Sequence, residues 1–333
     1  MGTREIARPE DTSHESLTRL ALVACEKIAL GREPYSYIIP QELSTTIHIG
    51  SRVVVSVKDR LYTGIVLDIQ TLDEQISTGI TYKDVHRVLD ATPVCTPLQC
   101  KLALHLSNQY FSTITKSTRS IFPFRLWATK LPSPVAYETR KNTPLATTHE
   151  KHILEIRSVL TNNHALLLYD VHIDIRKSLY THMMAAQRND SKSSLLILPD
   201  LLSVLLWADE LKKYFDHVHI VHGDVSEKEK KALFAQLNHD RSSIIVGTKL
   251  ALFYPVHNIG LIIMEHEEST LYINEQSPRY DAREIAEYVR QQTECMLLVS
   301  SARPSLRALK LADPVYAEHK YLVYPDIFTG NEA

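Results

Sequence analysis

Residues 166–180 read LLLYDVHIDIRKSLY: an apolar run, a short polar stretch, then residues at helical spacing. Five more apolar runs of the same kind follow it: SLLILP (194–199), VHIVHG (218–223), SIIVGT (243–248), GLIIM (260–264) and CMLLVS (295–300). Between them lie the helical segments RKSLYTHMMAAQ (176–187), DLLSVLLWADELKKYF (200–215), SEKEKKALFAQLN (226–238) and YDAREIAEYVRQQ (280–292). Uninterrupted apolar strands alternating with helices predict a parallel sheet covered on both faces. In such sheets ligands sit in the loops at the carboxyl ends of the strands, so the chemistry is to be sought there. The loop after the first run has the layout of a phosphate-binding loop and contains no glycine.

The whole chain has 333 residues, 44% hydrophobic and 23% charged, which is ordinary for a globular protein and long enough for two domains. Cys25, Cys95, Cys100 and Cys295 form no C-x-x-C pair, so neither a zinc ribbon nor a disulfide framework is indicated and a reducing, cytoplasmic setting is expected. RLALVACEKIAL (19–30) is too short and too charged for a membrane span and reads as a strand. His217 and His219 share one strand face and His222 does not, so no metal site is expected there.

Residues 1–130 read as mixed and β-rich. RVVVSV (52–57) and YTGIVLDI (62–69) flank KDRL, a hairpin signal. Thr96 and Pro97 open a helix that carries Leu102, Leu106 and Tyr110 on one side. Pro132, Pro134 and Pro144 mark a linker at 131–148, and 149–333 holds the alternating pattern.

The net charge of −2 argues against indiscriminate nucleic-acid binding, but it hides a local bias. Between 101 and 143 stand Lys101, Lys116, Arg119, Arg125, Lys130, Arg140 and Lys141 against the single acid Glu138. Tyr110, Phe111, Phe122, Phe124, Trp127 and Tyr137 are interleaved with them. Cations that take phosphate charge and aromatic faces that stack bases are one reading; a solvated basic face over a small aromatic core is the other.

Several motifs match one family in order. GREPYSYIIP (31–40), GSRVVVSV and YTGIVLDI, and VLDATPVCTPLQCKLALHLSNQYF (88–111) resemble the N-terminal 3′-DNA-end-binding domain of the PriA family of primosomal, replication-restart proteins. HIVHGDVSEKEK (219–230), IIVGTKLALF (244–253), the acidic box with RYDAREIA (279–286) and LLVSSARPSL (297–306) resemble its first helicase lobe. The resemblance implies a β-rich DNA-binding domain followed by one RecA-like α/β lobe. It looks closest to the actinobacterial branch, whose ATP motifs are degenerate.

That resemblance puts G-x-x-x-x-G-K-[ST] at 170–177, where this chain has Asp170 and Ile175 at the glycines, Arg176 at the lysine and Lys177 at the hydroxyl. Glycines let successive backbone N–H groups turn onto a phosphate, and β-branched Ile175 resists that turn. Asp170 and Asp174, at about 5 Å from a phosphate, would each cost roughly 1 kcal/mol even in a solvated loop. The family's D-E-E-H becomes Glu265, His266, Glu267, Glu268, so a histidine stands where a glutamate would orient water. A surface acidic loop at a strand end is the plainer reading of that box.

At the family's DNA-end pocket the aromatic–acid pair becomes Tyr35 and Ser36, with Lys58 from the hairpin nearby. Thr248 and Lys249 of GTK, with Arg279 and Arg283, fall where the family contacts the DNA backbone. No residue set suggests a winged-helix domain, a second lobe or zinc-binding cysteines in this chain. The family's ATP, Mg and structural Zn are therefore not expected as cofactors, and no catalytic residue is expected. The resemblance implies forked or single-strand-ended DNA as partner, with other primosome proteins and single-strand-binding protein, and no membrane. An ATP-dependent helicase with a divergent nucleotide site, and a truncated remnant with a structural role, stay open as alternatives.

Overall fold

The computed structural model describes residues 18–26, 31, 33–71, 81–122, 127, 131–135, 165–169, 171–312 and 321–323. The N-terminal strands are β1 (Arg19–Cys25), β2 (Tyr35–Ile38), β3 (Arg52–Val57), β4 (Arg60–Thr71), β5 (Lys83–Asp84) and β6 (Arg87–Val88). They are ordered β5-β2-β1-β4-β3-β6. Because β5 and β6 are one stretch of chain at the two ends of that order, the sheet closes on itself as a small barrel. The closure is made by backbone bonds from Val85 N–H to Ile38 O and from His86 N–H to Val54 O, both 2.9 Å. Closure leaves no free edge to pair with another chain.

The hairpin expected at KDRL is a two-residue turn, Lys58 and Asp59, with φ of 46° and 59°. Both central residues need the left-handed region for the turn twist to match the strands. At Gly50, φ is 89° and a Cβ would lie 2.1 Å from the Cys95 carbonyl, so only glycine fits where the chain enters β3. Ala21, Val23, Tyr37, Val53, Val55 and Val66 alternate inward and fill the barrel.

Two helices follow, α1 (Pro97–Gln109) and α2 (Ile114–Ile121). Thr96 and Gln99 form a reciprocal capping box at the start of α1, and Thr113 caps α2 through Lys116 N–H.

The lobe comprises β7 (Ala165–Tyr169), α3 (Ile173–Asn189), β8 (Ser193–Ile197), α4 (Leu201–Leu211), β9 (Val218–Val221), α5 (Glu227–His239) and β10 (Ile244–Gly247). It continues through β11 (Ile259–Met264), α6 (Ala282–Thr293), β12 (Met296–Ser301), α7 (Leu306–Ala312) and β13 (Tyr321–Val323). All its strand pairs are parallel, in the order β13-β7-β12-β11-β8-β10-β9. This is the parallel sheet covered on both faces that the alternating runs predict, and the RecA-like lobe that the family resemblance implies. Leu166, Leu168, Leu196 and Ile263 point to α3 and α4 on one face, where Tyr180 stacks on Trp207 at 5.2 Å. Leu167, Leu195, Ile197 and Ile262 point to α5 and α6 on the other.

That second face also receives the helices of the barrel domain. The Gln99 amide donates to Phe253 O at 2.7 Å, and Phe122 meets Phe234 edge-on at 6.2 Å. Of the expected linker, residues 131–135 are docked, with Val135 N–H donating to Gln236 at 2.8 Å; the rest lies outside the described residues. One apolar cluster therefore runs from β4 through α1 and α2 into the lobe. Truncating a ring such as Phe234 at its centre would cost ~3–5 kcal/mol.

Candidate nucleotide slot and nucleic-acid interface

The nucleotide slot follows β7. Asp170 lies outside the described residues, Val171 is buried, and His172 caps a helix that begins at Ile173. The sequence pattern places the helix start near Arg176; it opens three residues sooner, at Ile173, behind the His172 cap. The Arg176 N–H is consequently spent on His172 O at 3.1 Å. Ile175 packs on the apolar cluster under α3 and α4. Lys177 turns along the helix surface, 3.7 Å from Asp174 and 4.0 Å from Glu210.

Arg176 reaches inward instead. Its guanidinium pairs with the Glu265 carboxylate and donates to Ser300 Oγ at 3.3 Å. Glu265 has no exposed surface and the Arg176 side chain is 12% exposed. Tyr180, fully buried beside them, has its phenol pushed well above the ordinary range by burial and then by the Glu265 charge. The Tyr272 hydroxyl points at the carbonyls of Ile197 and Glu265, 3.0 and 2.5 Å away, and fastens the strand ends together. The position that would meet a phosphate and the one that would meet its metal thus neutralise each other, 89 residues apart in sequence. In this slot Arg176 and Glu265 are paired with each other, Ile175 is packed, and position 177 has no hydroxyl.

The surface-loop reading of the acidic box is overturned. Glu265 and Glu267 are 0% and 1% exposed, and Glu268 is half-buried. Glu267 accepts from Ser305 N–H at 2.6 Å and Ser305 Oγ at 2.8 Å, and Glu268 accepts from Ser301 Oγ at 2.7 Å. His266, at φ 51°, is the exposed member, with ring nitrogens 3.9 Å from Glu265 and 3.6 Å from Glu268. Buried carboxylates call for close donors: serines supply them to Glu267 and Glu268 and Arg176 to one oxygen of Glu265, while Glu265 Oε1 is left without a hydrogen-bond partner.

Two of the expected backbone-contact residues are likewise committed internally. The Lys249 ammonium donates to Leu271 O at 3.0 Å and Ile273 O at 2.8 Å, and burial pulls its pKa below the ordinary value. Arg283 forks onto Asp281 with two bonds of 2.8 Å and donates to Glu267 O at 2.8 Å. Arg307, which sequence reasoning passed over, joins them through Asp281 at 3.1 Å and Glu284 at 2.7 Å. Thr248 only precedes a 3-10 turn, without a side-chain cap bond, and Arg279 is exposed. The four are not brought together as one patch of free cations.

In the barrel, Lys83, the ladder partner of Tyr37, reaches Asp59 at 3.0 Å. The β2 segment carrying Tyr35 and Ser36 and the turn carrying Lys58 therefore share one end of the barrel. Tyr35 is half-buried against the barrel core, and burial, then the Cys25 thiol beside it, raise its phenol above the usual value. Ser36 alternates to the other strand face, and Lys58 is exposed.

In the basic–aromatic segment the aromatics divide. Phe122 and Trp127 are buried and Tyr110 donates to Glu284, whereas Phe111 is 78% exposed. Lys116 and Arg119 are exposed on α2; Arg125 lies outside the described residues. Two of these aromatics are thus core residues, and Lys101, Lys116 and Arg119 are the exposed basic residues of the segment among those described.

Residues 23–123 match the family model for the 3′DNA-binding domain (3′BD) of PriA. Over 225 residues the chain is 29% identical to the replication restart protein PriA of Helicobacter pylori, covering 67% of this chain and 35% of that protein. Over 283 residues it is 23% identical to PriA of Rickettsia prowazekii, covering 83% and 42%. The chain therefore spans about two fifths or less of the curated relatives it matches. Among solved structures, the Hef helicase domain of Pyrococcus furiosus superposes with TM-score 0.42 at 17% identity, over 57% of this chain and 42% of that one. RecG bound to a three-way DNA junction gives 0.38 at 17% identity, over 55% and 24%. The 3′DNA-binding-domain match at 23–123, together with two PriA sequences that match across the join between barrel and lobe, makes this chain similar to PriA over both of its parts.

Proposed function

We infer that this chain is a PriA-like DNA-binding protein of replication restart, in which the barrel holds DNA and the lobe acts as a platform without turning over ATP. The observation that carries the second half is the buried pair between Arg176 and Glu265, which occupies the catalytic slot with the chain's own charges. Support for the first half is the barrel's match to a 3′DNA-binding domain and the placing of Tyr35 and Lys58 at one barrel end. An aromatic face can stack a terminal base and a solvated lysine can take a phosphate. Forked or single-strand-ended DNA is the expected ligand. Other primosome proteins and single-strand-binding protein are the expected partners, and the cytoplasm the expected setting. Among the described residues no helix is long and apolar enough to cross a membrane.

Fork-DNA binding and ATP hydrolysis measured on one preparation test this. Saturable fork binding with no ATP turnover, with or without DNA, is the expected result. DNA-stimulated hydrolysis would instead make the chain a motor with a divergent site, and absence of fork binding would leave the lobe and barrel as a structural remnant.

A further inference from the structure

Most arginines that the lobe uses structurally end on carboxylates: Arg176 on Glu265, Arg283 on Asp281, Arg290 on Glu287 and Arg307 on Asp281 and Glu284. Two others do not. Arg19, at the start of β1, is held by Ser44 O at 3.2 Å, and Arg241, just past α5, lies 3.5 Å from His257 Nδ1. Both line one cleft of about 850 Å³ at the seam between barrel and lobe, together with His48 and His257. No carboxylate is among the described residues that line it.

The groups behind Arg241 are arranged to present it rather than to neutralise it. His257 Nε2 meets Asn238 O at 2.9 Å, so that nitrogen carries the proton and Nδ1 is left to accept from the guanidinium. Burial, which outweighs the Asn238 bond, pulls the His257 pKa below its ordinary value and keeps the ring neutral. Asn258 Nδ2 donates to Arg241 O at 3.1 Å and fixes the backbone. Ile69 and Pro93 also line the cleft and supply an apolar surface, with no Phe, Tyr or Trp among the described lining residues.

The geometry points to a second DNA contact here: a strand whose phosphates meet Arg19 from the barrel and Arg241 from the lobe, with sugars against the apolar wall. Resting on the reading of the chain as a DNA-binding protein, it gives the catalytically closed lobe a role, because the cleft is complete only when both domains are present. Contacts between arginines and phosphates carry no sequence information, so this contact is expected to be indifferent to sequence. Two phosphates neutralised on a single strand release about 0.7 counterions each.

The test is anisotropy of a labelled fork bearing a free 3′-OH, titrated over a range of salt. The double variant Arg19→Ala/Arg241→Ala is expected to bind about tenfold more weakly and to lower the slope of log K against log salt by about 1.4–1.8 units. Arg19→Lys/Arg241→Lys is expected to keep a slope near the parent's. Arg241→Glu, at an exposed position where folding is not in question, should weaken binding further. Tyr35→Ala is run beside them. If the parent binds no fork, the DNA reading and this inference fall together. If Tyr35→Ala weakens binding while both the alanine pair and Arg241→Glu keep the parent's affinity and slope, the seam contact alone is overturned.

Discussion

Arg176 and Arg283 of the lobe, like the buried Arg52 of the barrel, end on carboxylates of their own chain and Lys249 on two carbonyls; Lys58 and Lys116, with Arg19 and Arg241 at the seam, meet no carboxylate among the described residues, although Arg19 is held by Ser44 O. The difference follows burial. A cation withdrawn from water must be neutralised by partners close by, because the desolvation penalty is several kcal/mol per ion. One left in water can wait for an external polyanion at little cost. Motif position alone would have ranked Lys249 and Arg283 with Lys58 as DNA contacts. The fold separates them, and a set of variants can probe how sharply.

The largest effect is expected at the buried pair. Arg176→Ala leaves Glu265 without its countercharge in a site with no solvent, and should cost ~3–5 kcal/mol in chemical denaturation. Arg176→Met combined with Glu265→Leu should recover most of that loss, since an apolar pair needs no mutual neutralisation. A single variant as stable as the parent would mean that the lobe's cations are no more committed than the barrel's.

Next comes the barrel end. Tyr35→Ala should weaken binding of forks with a free 3′-OH by ~1–3 kcal/mol, the scale of one stacked base. Forks without a free 3′ end should lose less. Because Ser36 offers a neutral oxygen in place of a carboxylate, discrimination between 3′-OH and 3′-phosphate should be poor in the parent. Equal loss on every fork would mark Tyr35 as a packed strand residue only.

Changing Lys116, Arg119 and Arg125 together to Ala should flatten the salt dependence by up to about three units while leaving sequence preference alone. An unchanged slope would assign α2 to the solvated-face reading.

Acid should find the lobe's committed carboxylates. Burial tends to raise the Asp281 pKa, but the bonds from Arg283 and the charge of Arg307 outweigh it and hold the carboxyl below its ordinary value. A depressed folded pKa adds stability that is present above the unfolded value and lost as pH falls through the folded one. Stability should therefore drop below about pH 4, and Asp281→Asn should flatten that part of the curve. The smallest expected effect is none: Mg-ATP should not shift thermal unfolding. A shift worth more than ~2 kcal/mol, as from ligand near a hundred times its dissociation constant, would reopen the slot.

The amino-acid pattern by itself determined the parallel sheet. All six apolar runs became strands and the four helical segments became helices, because a strand buried on both faces must be apolar throughout and a surface helix must repeat near 3.6. The turn at Lys58 and the cap at Thr96 were equally local and equally legible. β13 was missed, since three residues carry no periodicity, and so was the barrel closure through 83–88, where pairing is long-range. The departure from a glycine-bearing phosphate loop could be read from Ile175 and the missing glycines. What closes the slot could not: Arg176 and Glu265 stand 89 residues apart, and their meeting depends on β7 and β11 lying two strands apart in one sheet. The acidic box read as surface because acids usually are; only the tertiary packing that brings Arg176 to the Glu265 carboxylate and Ser305 to that of Glu267 made their burial possible. Sequence sets which residues prefer water, but tertiary structure decides which of them are denied it.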